Sequence, residues 1–565
     1  MPVTCCQHGE MMTTVEIVAS GKAFDAILKQ LMLPSFVSGV RIQNIWEVHS
    51  YITSLFPLQN IQHLDLSYNS FVGSHIPQLM GSLTNLRYLN LSYSDFGGNI
   101  PTQLGNLTHL LSLDLSLNYF LRGNIPYQLA SFTSLTYLDL SYDILDGKLA
   151  YQFGNLSQLR YLDLSENSFS GALPFQVENL PFLQTLRLGN LPFLHTLRLG
   201  AYFLWHNLTL GGGFDVKPKD AKWLSNMSSL THLAINGLHN PEWLQMIHSP
   251  KLRELSLVYC FLSDTHIQSL FYSRSNFSTS LSILDLSSNM LTSSTFQLLS
   301  KFCLNLQELY LSDNNIVLSS PVHSTFSSLV ILDLSHNKMP SSVFQGSFNF
   351  SSKLQNLYLR NCSLRDDSFL MSAISITNFS SSLASLDLSS NMLISSSIFY
   401  WLFNSTTNLR TLELFHNMLE GPIPDGFGKV MNSLEDLDLS SNKIQGEIPS
   451  FFGNMCTLQS LDLSNNKLSG QISSFFLNSS WCNRHVFQRL WLSGNNITGR
   501  LPKSIGLLSE LEGLYLDGNC LEGDVTESHL SKFSKLRDLY LSENTLSLKI
   551  VPNWYQNGFG TTCIM

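Results

Sequence analysis

The stretch Ile61-Gln-His-Leu64-Asp-Leu66-Ser-Tyr-Asn69 decides the fold. Leu64 and Leu66 stand two apart, so an extended backbone puts both on one face and sends Asp65 to the other. A helix needs apolar partners three or four residues apart, which this spacing does not supply. The same pattern recurs with its central leucine at Leu89, Leu113, Leu138, Leu162, Leu186, Leu233, Leu255, Leu284, Leu309, Leu332, Leu357, Leu386, Leu412, Leu437, Leu461, Leu490, Leu514 and Leu539. That makes nineteen copies, most of them 23 to 26 residues apart; steps of 29 before Leu284, Leu386 and Leu490 read as small loop insertions.

One short strand cannot bury its own leucines, whereas stacked copies cover one another. The Asn in the ninth position has a matching task. Its amide satisfies backbone groups of the turn that leaves the strand, in its own repeat and the next. Cys260 and Cys362 take that position in two copies and read as buried structural thiols. The expected fold is an α/β repeat solenoid, a leucine-rich-repeat superhelix. A parallel β-sheet lines its concave face, and short helical, 3-10 and extended segments form the convex and lateral faces.

The array is expected over 56–549. Residues 1–55 carry no repeat, although Phe24, Ile27, Leu28 and Leu31 predict a short helix between Ser20 and Leu33. Residues 550–565 form a non-repeat tail that looks like a repeat cut short. Inside the array, Asn179–Gly189 is duplicated as Asn190–Gly200. Eleven residues cannot complete a turn of the solenoid, so a long excursion is expected near 200–225.

Composition narrows the function. A chain of 565 residues exceeds a single globular core, and the net charge of −9 is spread along it, which disfavours nucleic acid as a partner. None of the nine cysteines forms a C-x-x-C pair, and the odd count leaves at least one without an intramolecular partner. Catalytic, phosphate-binding and metal motifs are missing, so no enzyme and no cofactor is expected. No apolar run reaches the length of a membrane span, and the first 35 residues lack a signal-peptide core. Taken alone, these absences point to the cytosol.

The second halves of many repeats add a further signature: Phe96-Gly-Gly98-Asn-Ile100-Pro101, Leu419-Glu-Gly421-Pro-Ile423-Pro424, Ile444-Gln-Gly446-Glu-Ile448-Pro449 and Ile497-Thr-Gly499-Arg-Leu501-Pro502. The Gly permits a bend and the Pro ends the extended segment. With Leu104-Gly105-Asn106-Leu107, the pattern resembles the plant class of extracellular leucine-rich repeats. Trp223–Leu233, Pro241-Glu-Trp243, Leu252–Cys260, Met455-Cys456 and Ser480-Trp481-Cys482 make the array similar to plant receptor-like proteins of the fungal-xylanase-receptor and disease-resistance group. The resemblance covers about 56–555. It implies a glycosylated plasma-membrane receptor without a kinase, facing the cell exterior, that senses a microbial elicitor, peptide or protein in plant defence and signals through partner receptor kinases. Membrane attachment rests on this resemblance alone. Family members carry a signal peptide, a paired-cysteine cap, an island with a further repeat block, and a membrane helix. Their absence reads as a truncated or wrongly assembled gene product, or an unusual allele.

Candidate site residues follow from the repeat phase. Tyr68, Tyr88, Tyr93, Tyr137, Tyr142 and Tyr161 lie on the concave side of early repeats. Trp491, Tyr515 and Tyr540 occupy equivalent positions in three consecutive late repeats and are expected to stand in a row as a protein- or peptide-binding surface. The aspartates beside the leucines, Asp65 to Asp163 and Asp285 to Asp462, read as a solvated face bonded to local serines. Cys456 and Cys482 precede their strand leucines by five and eight residues in adjacent repeats, which predicts a disulfide. Glycans are expected on Asn106, Asn155, Asn226, Asn276, Asn349, Asn378 and Asn404, which stand seven or eight residues before a strand leucine. Asn90 and Asn361, on or beside a strand, are poor acceptors. Two rival readings are a secreted enzyme inhibitor, for which the array is about twice too long, and a truncated product without a binding role.

Overall fold

In the computed structural model the described residues are 61–148, 155–172, 182–188, 231–236, 251–272, 280–318, 326–339, 353–369, 382–395, 397–405, 408–476, 482–533 and 535–549, with a few shorter stretches between and beyond them. The chain forms two compact units, residues 1–281 and 282–565.

In the first unit the strands His63–Asp65, Tyr88–Asn90, Ser112–Asp114, Tyr137–Asp139, Tyr161–Asp163, Thr185–Leu188, Asn207–Gly211, His232–Asn236 and Glu254–Val258 pair in sequence order as one parallel ladder. In the second, eleven strands from Ile283–Asp285 to Asp538–Tyr540 do the same. The register is uniform. Each core leucine faces the core leucine of the next strand, as Leu64 faces Leu89 and Leu514 faces Leu539. This is the leucine-rich-repeat fold.

Burial follows the alternation. Leu64, Leu89, Leu113, Leu138 and Leu162 are fully buried, as are Leu412, Leu461, Leu490 and Leu514. Each buried leucine is worth about 1.5–3 kcal/mol over an exposed one. Between strands the chain returns through short helices. Five-residue 3-10 turns such as Thr102–Asn106 and Lys503–Leu507 start directly after Pro101 and Pro502, at the end of the Gly-x-Ile/Leu-Pro segments. In other coils α-helices take their place, at Asp264–Tyr272, Ser293–Phe302 and Ser397–Ser405.

The ninth-position asparagine joins neighbouring coils. Asn442 Nδ2 donates to the carbonyls of Leu439 and Ser440 in its own coil and of Leu414 in the preceding one. Its Oδ1 accepts from Leu419 N. Asn337, Asn391, Asn466 and Asn519 repeat this pattern. Cys260 and Cys362 replace it with thiols whose Sγ donates to Ile235 O and Leu334 O in the preceding coil, at 3.4 and 3.2 Å.

The excursion expected near 200–225 is interrupted. Asn207–Gly211 is a full ladder strand, with Leu208 between Leu186 and Leu233. The pattern hid it because Trp205 stands where other repeats have leucine three residues before the core position. Pairing also reaches past the expected ends of the array. Phe36–Val37 pairs with the strand of Leu64, and Thr562–Cys563 with that of Leu539. The helix expected between Ser20 and Leu33 lies outside the described residues.

Replacing Asn442 with alanine strips four hydrogen bonds from a buried junction and is expected to cost about 3 kcal/mol in urea unfolding. Lys443→Ala, on the exposed position beside it, should stay within about 0.5 kcal/mol. Equal midpoints for the two variants would show that the asparagine is not a structural joint.

Candidate functional site

The strand residues flanking each core leucine point away from the core and form the open face of each ladder. In the first unit Tyr137 and Tyr161 stand in adjacent strands with ring centroids 4.4 Å apart and planes 9° from parallel. Their hydroxyls donate to Asp139 and Asp163, each at 3.2 Å. Those carboxylates also accept from the backbone N–H and hydroxyl of Ser141 and Ser165. Arg187 closes the group, 3.6 Å from Asp163 and over the Tyr161 ring.

The aspartate column here is therefore not the solvated face expected. Asp139 is 7% exposed and Asp163 3%, because the stacked tyrosines lie over them. Burial, then the like charges of Asp163 and Asp114, pushes the Asp139 carboxyl up to about 7.

The early tyrosines divide into two rows. Tyr88, Tyr137 and Tyr161 are strand residues. Tyr68, Tyr93 and Tyr142 sit on the turns leaving the strands, at φ of 56°, 51° and 57°. They are exposed along one rim, with Tyr68 and Tyr93 in contact at 5.2 Å. Tyr68, Tyr93 and Tyr142 thus belong to this rim and not to the sheet face expected for them.

In the second unit one column changes character along its length. Asp387, Glu413, Asp438 and Asp462 are direct register partners in four successive strands. The next three strands place Trp491, Tyr515 and Tyr540 at the same position. Trp491 and Tyr515 stack at 5.3 Å and 15°, Tyr515 and Tyr540 at 4.9 Å and 19°. Gly513 makes room for this: a Cβ there would come within 2.8 Å of the Tyr515 ring. Burial, followed by Asp387 and Asp438, pushes Glu413 up to about 7, with Arg360 acting against them. Burial raises Asp462 to about 6. The motif pattern singled out three of the four acids. Glu413 was missed because it replaces the usual aspartate, although its phase beside Leu412 marks it.

Cys456 and Cys482 form a disulfide with Cα atoms 4.9 Å apart. It ties the turn before Ser460–Asp462 to the turn before Arg489–Trp491, where acids give way to aromatics. Cys260, Cys303 and Cys362 are buried thiols, and burial pushes Cys303 and Cys362 up to about 12. Cys520 is exposed.

Among the sequons, Asn106 and Asn155 are exposed, and Asn404 lies in the helix Ser397–Ser405. Asn226, Asn276, Asn349 and Asn378 lie outside the described residues. Asn90 is bonded into the sheet face through Tyr88 and Ser92, which leaves it poorly placed for a glycan.

Comparison with known proteins agrees with this geometry. A leucine rich repeat family model matches residues 60–83, 85–107, 158–180, 305–329 and 487–508, and a second one matches 407–468. These matches agree with the leucine-rich-repeat fold of the chain. It resembles plant leucine-rich-repeat receptor-like proteins: 167 residues are 32% identical to Receptor-like protein EIX2 of Solanum lycopersicum, covering 29% of this chain and 14% of that protein. Among solved structures, a TLR13–ssRNA13 complex matches with a TM-score of 0.50 at 19% identity, covering 90% of this chain and 84% of that one. The plant peptide hormone receptor RGFR1, in complex with RGF2, matches with a TM-score of 0.41 at 21% identity, covering 92% and 95%. The likeness to TLR13 is one of leucine-rich-repeat fold alone. Among the described residues no helix is long and apolar enough to cross a membrane.

Two outcomes are expected for this region. Cys456→Ser opens a loop of 26 residues and should lower stability by about 3.5 kcal/mol, read as a drop in unfolding midpoint absent under reducing conditions. The raised Glu413 carboxyl stabilises the fold when protonated, so that contribution is full below the unfolded value near 4 and is lost as pH rises through about 7. Glu413→Gln should therefore flatten the fall in melting temperature between pH 5 and 8. An unchanged slope would place the titration elsewhere.

Proposed function

We propose that this chain is the ligand-recognition region of a plant cell-surface receptor-like protein without a kinase. It faces the cell exterior, perceives a peptide or protein signal in immunity or development, and passes it on through partner receptor kinases. The work is recognition, not catalysis. The observation that carries the ligand side is the single column Asp387, Glu413, Asp438, Asp462, Trp491, Tyr515, Tyr540.

Its chemistry defines the ligand class. Adjacent carboxylates at strand spacing raise one another's affinity for protons, and a ligand cation relieves the same repulsion. The three rings stack face to face, so they offer their edges, one indole N–H and two phenols. A peptide with Lys or Arg toward one end and apolar residues toward the other fits that order, lying across the strands. The resemblance to a receptor-like protein supports the cell-surface setting. The disulfide supports an oxidising compartment.

The test uses the whole chain and a panel of synthetic peptides carrying Lys or Arg followed by Leu or Phe, with acidic and scrambled peptides as controls. Basic-apolar peptides should bind more weakly as salt rises. Trp491→Ala or Tyr515→Ala should weaken the best of them about 30-fold, the loss of a hot-spot residue. Glu413→Gln combined with Asp438→Asn should remove most of the salt dependence. Indifference of every peptide to these four positions would refute the column as the binding surface.

A further inference from the structure

In the regular joint, the carbonyl two residues beyond each core leucine accepts two amide hydrogens. Leu439 O receives Asn442 Nδ2 at 3.0 Å and Asn466 Nδ2 at 2.9 Å; Leu311 O receives Asn314 and Asn337 at 3.1 and 2.9 Å. The coil of Leu138 departs from this, because its ninth residue is Asp143.

Asp143 Oδ1 does the work of the amide oxygen and accepts from Asn118 N at 2.8 Å. Its Oδ2 stands in for the amide nitrogen and is a buried atom without a hydrogen-bond partner, in a residue 7% exposed. The flanking joints show what such an atom faces. Asn118 Nδ2 donates to Leu91 O, Leu115 O and Ser116 O. Asn167 Nδ2 donates to Leu140 O, Leu164 O and Ser165 O. By the same register, Asp143 Oδ2 is directed at the carbonyls of Leu115, Leu140 and Ser141. An ionised carboxylate offers only lone pairs to these acceptors, whereas a protonated one donates.

We propose that Asp143 is a proton-operated joint: as a neutral acid it closes the seam between its coil and the one before it, and on ionising it loosens that seam. The coil concerned carries Tyr137 on the sheet face and Tyr142 on the rim, so the joint governs the order of both in the first unit.

The surroundings favour the neutral form. Burial, with the like charges of Asp139 and Asp114, pushes Asp143 up to about 9. The strands and turns around it also carry Asp163, Tyr137, Tyr161, Tyr119, Tyr142, Glu166 and Asp146, with Arg122 in the strand paired with Ile144–Leu145. Arg187 is engaged by Asp163 and Tyr161. A folded value above the unfolded one means that stabilisation is complete below about pH 4 and is lost as pH rises toward 9. Asp139 acts with the same sign but is spent by about 7.

The experiment is amide hydrogen exchange on the full chain between pH 6 and 9, corrected for the intrinsic pH dependence of exchange. In the native sequence, opening at Leu117 and Asn118, whose N–H groups donate to Ser141 O and Asp143 Oδ1 across that seam, should grow by up to roughly tenfold per pH unit, the slope of one released proton. Asp143→Asn should hold it within about twofold, while Asp139→Asn leaves the slope above pH 7 in place. Asn167→Asp should plant a new slope in the next coil. The proposal is overturned if Asp143→Asn keeps the slope or Asp139→Asn alone removes it. Should Asp143→Asn not fold, a folded Asn167→Asp without a new slope overturns it equally.

Discussion

The structure depends on one constraint: each coil must share its hydrogen bonds with the coil before it. A three-residue strand has few backbone groups to pair, and its leucine is covered only when a neighbour is present. The ninth-position amide enforces that neighbour. Asn442, for example, reaches Leu414 O in one coil while bracing Leu439 O in its own. Leucine burial supplies the driving force, and the amide sets the register at which burial occurs. A slip of one residue would send the core leucines to the open face and leave the amides opposite the wrong carbonyls.

This register is what makes a surface out of scattered residues. Trp491, Tyr515 and Tyr540 lie 24 and 25 positions apart in the chain, yet their rings stand about 5 Å apart because the ladder repeats at strand spacing. The same periodicity brings Asp387, Glu413, Asp438 and Asp462 side by side and raises the protonation of Glu413 and Asp462. In the first unit it raises Asp139 as well, but the aromatic residues there lie over the acids instead of beyond them. There the Tyr137 and Tyr161 hydroxyls donate to Asp139 and Asp163, and the carboxylates are buried beneath the rings.

Much of this was legible in the sequence, for physical reasons. The two-residue alternation names the core leucines, and fixed repeat phase names the residues sharing a column, which is why the late aromatic row and the pairing of Cys456 with Cys482 emerge from spacing. What spacing misses is substitution within a position and the cover of one column by another. Asn207–Gly211 was hidden because Trp205 replaces a marker leucine. Asp143 was hidden because aspartate looks unremarkable where asparagine is the rule. The burial of Asp139 and Asp163 depends on how neighbouring tyrosine rings lean, and no pattern of letters encodes a lean. Tyr68, Tyr93 and Tyr142 were grouped with the sheet because their offset from the leucine does not reveal a left-handed turn.

The disulfide between Cys456 and Cys482 carries a mechanical consequence. In a stack held by nearest-neighbour contacts, unravelling that starts at an end travels inward seam by seam. A covalent staple converts one seam into a hinge that can loosen but not part. Here the stapled coils are those bearing Asp462 and Trp491. Loss of every later coil would therefore still leave the last carboxylate tethered to the first ring, and coils rewinding from that end would start from an anchored template.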